Sequence, residues 1–180
     1  MPALQLHYGP TAKSFHWLIA LLLAVQLPLG WLMPDIHRGE NPGAAMSLHI
    51  SIGVTILLLI VARWLWRLAH PVAPESKLPA WQRLSSELVH WLLYLTVLLT
   101  TLSGWLFASY RGWAVNLYGV FPLPHLVAQG SPVGHGLGDM HETLGYVLVV
   151  LIGIHVAAAL VHLFVYKDRV MQRMLPASFT

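Results

Sequence analysis

Four stretches of this chain run without a single Asp, Glu, Lys or Arg for 21, 22, 23 and 24 residues: between Lys13 and Asp35, Glu40 and Arg63, Glu87 and Arg111, and Glu142 and Lys167. A helix of ~20 apolar residues crosses the hydrocarbon core of a bilayer. Lipid is therefore the solvent for most of these side chains. Composition agrees, with 57% hydrophobic and 9% charged residues, where a soluble domain carries about a quarter charged. The runs predict four transmembrane helices near 14–33, 46–69, 84–109 and 139–166, in one membrane domain over residues 1–180. The first run is expected to stay as a span rather than be cleaved as a leader, because Pro34-Asp35-Ile36-His37 follows it in place of a small-residue cleavage site.

An even number of spans puts both termini on one side. Lys13, Arg63, Arg67, Lys77, Arg83, Lys167, Arg169 and Arg173 fall on that side, and only Arg38 and Arg111 on the other. By the positive-inside rule both termini are expected in the cytoplasm, and the loop around 110–138 in the outer compartment. That loop is too apolar to be fully solvated and is read as a cap on the bundle mouth. Most of the eight tryptophans sit near span ends, where aromatic anchoring suffices as an explanation. The absence of cysteine excludes disulfides, thioether-linked haem and iron–sulfur ligation by this chain.

The chemistry lies in the histidines, eleven of them. An ionisable side chain inside a span is costly and normally faces the protein interior with a partner. His141 and His155 are fourteen residues apart on the fourth span, nearly four whole turns, so both leave one face roughly 21 Å apart along the axis. His16 follows Lys13 closely and enters the membrane from the inner side; His49 follows Glu40 and enters from the outer side. Depth therefore pairs His16 with His155 and His49 with His141. Two imidazoles on facing helices at each of two levels are what two stacked b-type haems require. The fold class expected is an all-α integral membrane protein, a four-transmembrane-helix bundle enclosing two haem b groups. Zinc fits less well, since four ligands must converge on one point and no acid lies within any of the four charge-free runs.

His162, two turns past His155, is the rival ligand on the same face. His90, near the inner end of the third span, is open to a second-shell role, a propionate or quinone contact, or interfacial placement. His7, His37, His70, His125 and His135 fall in tails or loops and default to solvent. Arg63 and Arg67, four apart, could pair haem propionates or snorkel to headgroups. Arg111 has both readings and a third, in which it steers an anion toward the outer haem together with Arg38. Gly53, Gly145 and Gly153, with the run Ala157–Ala159, would make room for a flat cofactor or for close helix packing.

Several segments together resemble the bacterial cytochrome b561 family, with a more distant likeness to the cytochrome b subunits of nickel–iron hydrogenases and formate dehydrogenases. They are Ser14-Phe15-His16-Trp17-Leu18, Leu48-His49-Ile50-Ser51-Ile52-Gly53, Arg63-Trp64-Leu65-Trp66-Arg67, Val89-His90-Trp91-Leu92-Leu93-Tyr94, Met140-His141-Glu142, Ile154-His155-Val156-Ala157-Ala158, and the tail from Tyr166-Lys167-Asp168 to Met174. The resemblance implies iron ligation by His16 with His155 and by His49 with His141, with His90 matching a family histidine that is not an axial ligand. It implies a bacterial inner-membrane electron carrier between a donor and the quinone pool, the donor being superoxide or a redox protein. If the donor is superoxide, the activity is that of a superoxide:quinone oxidoreductase. The alternative is an anchoring relay subunit for a separate redox partner. A homodimer is open, and no nucleic-acid partner is expected.

Overall fold

A computed structural model describes residues 8–34, 36–37, 40–73 and 78–175. Four long helices dominate it: α1 Pro10–Leu32, α2 Ala44–Ala69, α3 Ala80–Arg111 and α4 Leu137–Val161. Each is long and apolar enough to cross a membrane, so the chain is a multi-pass, mostly helical membrane protein. Local chemistry sets the helix ends. Pro10 occupies the first turn of α1, where its missing N–H costs nothing. Extended backbone at Met33, just before Pro34, stops α1, and His70 ends α2 against Pro71. Gly112 caps α3 at φ 72°, a left-handed conformation that glycine adopts without strain. α4 does not end cleanly. Past Val161 its backbone widens into a π-helical stretch, His162–Tyr166, and stops at Lys167, itself left-handed at φ 52°.

α1 packs on α2, α2 on α3, and α3 on α4, whereas α1 and α4 approach mainly through side-chain rings, His16 with His155 and Trp31 with Tyr146. The bundle is therefore least closely packed along the α1–α4 seam. Its centre is a cluster of Ile19, Ile52, Ile56, Ile60, Val97 and Leu148. Leu21, Leu58 and Val150, by contrast, are each more than half exposed. Water would penalise that surface and lipid does not.

The segment between α3 and α4 is built differently from the expected cap. It forms a two-stranded hairpin, β1 Asn116–Leu117 with β2 Phe121–Pro122. Tyr118 and Gly119, at φ 52° and 73°, make its turn, with both central residues left-handed as a tight hairpin prefers. Rather than crossing the mouth, it runs down the α2–α3 side. The Ser51 hydroxyl accepts from the Tyr118 N–H and lies 2.9 Å from the Asn116 carbonyl, and the Thr55 and Tyr118 hydroxyls are 3.0 Å apart. Trp105 donates to the Pro124 carbonyl from α3. Val115 and Trp113 seal the contact against Val54 and Ala108.

Candidate functional site: two histidine pairs in the bundle

At the hairpin end, His49 from α2 faces His141 from α4 with ring centres 6.0 Å apart and planes at 84°. Toward the terminal end, His16 from α1 faces His155 from α4 at 6.1 Å and 71°. Two imidazoles on opposite sides of one metal, each with a nitrogen about 2 Å from it, hold their ring centres about 6 Å apart. Both pairs have that spacing. Among the described residues no three His, Cys, Asp or Glu side chains converge on one point. Each level thus sets two imidazoles at a spacing that would suit a haem iron held between them. The residues fit the group.

The surroundings orient the rings. His141 Nδ1 lies 2.8 Å from the Thr100 carbonyl of α3. A carbonyl only accepts, so Nδ1 carries the proton and Nε2 presents its lone pair. Ser103 Oγ stands 3.4 Å from the same nitrogen. The backbone of α3 comes so close here that a Cβ on Gly104 would be 2.8 Å from His141 Cε1. On the other side, a Cβ on Gly30 of α1 would be 3.0 Å from His49 Cε1. Both rings rest on a glycine of a neighbouring helix.

Gly145 and Gly153, read from the sequence as making room for a flat cofactor or for close packing, have open space beyond their Cα atoms and touch no histidine ring, while Gly53 abuts the Gln26 side chain. The glycines under the histidines are Gly30 and Gly104. The signal for Gly30 is its depth on the first span, level with His49.

The rivals are placed as well. His90 brings its ring 5.3 Å from His155, closer than the rings of either facing pair, and its Nδ1 is 2.6 Å from the Ser86 carbonyl. It adjoins the His16–His155 level from the α3 side. His162 lies in the π-helical stretch with Nδ1 2.6 Å from Asp168 Oδ2, and its neighbouring ring is Tyr166. Arg63 donates from Nε to the Tyr94 hydroxyl at 2.9 Å and from Nη1 to the Ala12 carbonyl at 2.8 Å, one turn before His16. Arg67 lines the same cleft between α1, α2 and α3.

Arg111 donates to the Ile36 and His37 carbonyls at 3.0 and 2.8 Å and stacks over Trp113 with 4.6 Å to the ring centre. Its guanidinium clamps the α1–α2 connection to the end of α3, and because both partners are neutral carbonyls its positive charge stays uncompensated there. Arg38 lies outside the described residues, as do His7 and Lys77. His70 stacks on Trp66, His125 bonds the Trp113 carbonyl and His135 meets Tyr110, so these loop histidines serve local structure.

The sequence model for prokaryotic cytochrome b561 matches residues 7–177. The chain is 32% identical over 175 residues to cytochrome b561 homolog 2 of Escherichia coli K12, covering 95% of this chain and 92% of that protein. It is 29% identical over 170 residues to the probable superoxide oxidase CybB of Yersinia pestis, covering 94% and 96%. It is 25% identical over 167 residues to cytochrome b562 of Cereibacter sphaeroides, covering 90% of each chain.

Proposed function

We propose that this chain, which belongs to the prokaryotic cytochrome b561 family, holds two b haems and carries electrons across part of the bilayer between a donor on the hairpin side and the quinone pool. Binding of b-type haem and membrane electron transfer come with the family. The count of two, the ligands and the partners are our reading. In it His49 and His141 ligate one iron, and His16 and His155 the other. The observation that carries it is the pair of ring-centre spacings, 6.0 and 6.1 Å, on two histidines of α4 fourteen residues apart. When bound, each haem supplies a one-electron ferric/ferrous couple.

The chain's own residues do the rest. Thr100 and Gly104 hold His141 so that Nε2 points inward. Arg63 crosses from α2 to α1 and α3 beside His16, where its charge would offset a haem propionate; Arg67 lines the same cleft and His90 adjoins His155. The apolar helix faces exclude water from both levels. With the lysines and arginines distributed as they are, both termini of the single domain lie in the cytoplasm and the hairpin faces the periplasm, in the inner membrane. A homodimer is compatible with this reading and is not required by it.

The test is haem quantitation with a reduced-minus-oxidised spectrum on the purified chain. Two b haems per chain are expected, falling to about one in His49→Ala or His16→Ala. A zinc or solute carrier would show no Soret band.

Superoxide is the donor we favour, since a relative bears the name of a superoxide oxidase. Superoxide is an anion, so its oxidation should slow as salt screens the positive charge at the hairpin end. Quinone reduction by the isolated chain that does not change between low salt and 0.5 M salt would point instead to a docked redox protein as donor.

A further inference from the structure

Among the described residues, three buried side-chain polar atoms lack any hydrogen-bond partner: His49 Nδ1, Gln26 Oε1 and Gln172 Oε1. Gln172 lies in the short turn Met171–Arg173 near the C-terminus. The other two belong to residues that already touch, for Gln26 Nε2 donates to the His49 backbone carbonyl at 2.9 Å. One is an acceptor and the other is a nitrogen that must find one. Once Nε2 binds iron, Nδ1 carries the proton, and metal-bound histidines almost always donate that proton to a carbonyl, a carboxylate or water. His141 has Thr100 for this purpose, and His49 has nothing.

The local architecture gathers the candidates on one seam. Gln26 and Gly30 are four apart on α1, and His49 and Gly53 are four apart on α2, so each pair shares a helix face. A Cβ on Gly30 would be 3.6 Å from His49 Nδ1, which puts that edge of the imidazole against α1. A Cβ on Gly53 would be 3.4 Å from Gln26 Nε2, so the glycine leaves room for the amide. Gln26 is only 9% exposed. A buried amide oxygen with no donor is penalised in an apolar surrounding, and no bulk water reaches a span to relieve it.

We propose that Gln26 is the positioning residue for His49. Its amide oxygen takes the Nδ1 proton when Nε2 is committed to iron, and its amide nitrogen keeps the bond to the His49 carbonyl. A turn of the Gln26 side chain closes the contact. The two orphaned atoms then satisfy each other, and the imidazole is fixed in the ligating tautomer. A hydrogen-bonded Nδ1–H makes Nε2 the more basic ligand, which favours ferric over ferrous iron and lowers the potential at this level alone. The proposal rests on the dihaem reading.

The experiment is a potentiometric titration of the full-length protein, followed optically, with haem content measured in parallel, on wild type, Gln26→Leu and Gln26→Glu. Leucine keeps the bulk and removes the acceptor; glutamate restores an acceptor. In Gln26→Leu one of the two midpoints is expected to rise by about a tenfold change in ferric/ferrous preference, ~59 mV for one electron, while the other stays. His16→Ala, which leaves only the hairpin-end level, identifies the couple that moves. Gln26→Glu should return that midpoint to the wild-type value or below. If leucine also weakens retention of that haem and glutamate rescues it, the assignment is supported. Two haems with both midpoints unchanged in Gln26→Leu would overturn it, as would a fall, or loss of the haem in both variants. A wild-type protein without haem would instead overturn the reading beneath it.

Discussion

Alanine at both His141 and His155 is expected to leave the purified protein colourless, taking haem from two per chain to none, while each single substitution leaves about one. In the dihaem reading the two levels draw on two different helices, α1 and α2, for their first ligand but on α4 alone for their second. Removing both rungs from α4 leaves His49 and His16 as lone imidazoles, each about 6 Å from nothing that binds iron. Loss of an outer-shell partner alone typically costs 10–100-fold in metal affinity, and loss of the ligand itself costs more. Haem content by the pyridine haemochrome spectrum after haem-replete expression measures the effect, and far-UV circular dichroism checks that the helices persist. One haem surviving in the double variant would bring His162 back as a ligand, since it lies on the same face of the fourth span. The observed pair between His162 Nδ1 and Asp168 Oδ2 at 2.6 Å argues against that outcome. His90 is the other possible substitute at the terminal-end level, and a haem lost in His155→Ala but partly regained with added imidazole would show that His90 does not take its place.

The spans were legible because lipid imposes a simple rule, and charge-free length obeys it. The third run, expected near 84–109, is a helix over Ala80–Arg111. Its first turn, with Trp81, Gln82 and Arg83, is polar enough to lie beyond the hydrocarbon, so hydropathy has no view of it. The fourth, expected to continue to 166, leaves the α-helical path at Val161. There Asp168 bonds back to His162 through both its side chain and its backbone N–H, a contact between a helix and its own tail that no periodicity announces.

Depth and phase along α4 were also enough to bring the four histidines into two facing pairs. What could not be read was which atoms stand behind the rings. The Thr100 carbonyl, Gly104 and Gln26 matter through the rotation of α1 and α3 about their own axes. Those helices are apolar around most of their circumference, so their pattern leaves that rotation undetermined. Thr96, Thr100 and Ser103 are buried on α3, and small hydroxyl residues on one face of a span are a usable sign of a packed side. Such a stripe would have turned α3 the right way without saying which ring it met. The loop histidines were a simpler matter, because nothing in a connecting segment obliges an imidazole to find a buried partner.

Gly104 offers the sharpest test of that hidden layer. Gly104→Leu is expected to remove the hairpin-end haem and spare the other, halving the haem content. A bare Cβ there already falls 2.8 Å from His141 Cε1 and 3.0 Å from Nδ1, closer than carbon atoms tolerate, and leucine adds three more carbons in the same direction. The ring must turn away, and Nδ1 then leaves the Thr100 carbonyl at the same time as Nε2 leaves the axis toward His49. Gly104→Ala should be intermediate, with the haem bound about 10–100-fold more weakly, the range seen when a ligand's orienting partner is disturbed. Gly138→Leu is the control, since a Cβ there meets the Phe107 ring of α3 at 3.1 Å and no histidine; it should keep two haems. The comparison separates two ideas of what small residues do in a span. If glycine served only general helix contact, the α4 variant and the α3 variant would differ little. If it serves a ring, haem content should collapse at Gly104 alone, and the surviving spectrum should be that of the His16–His155 level.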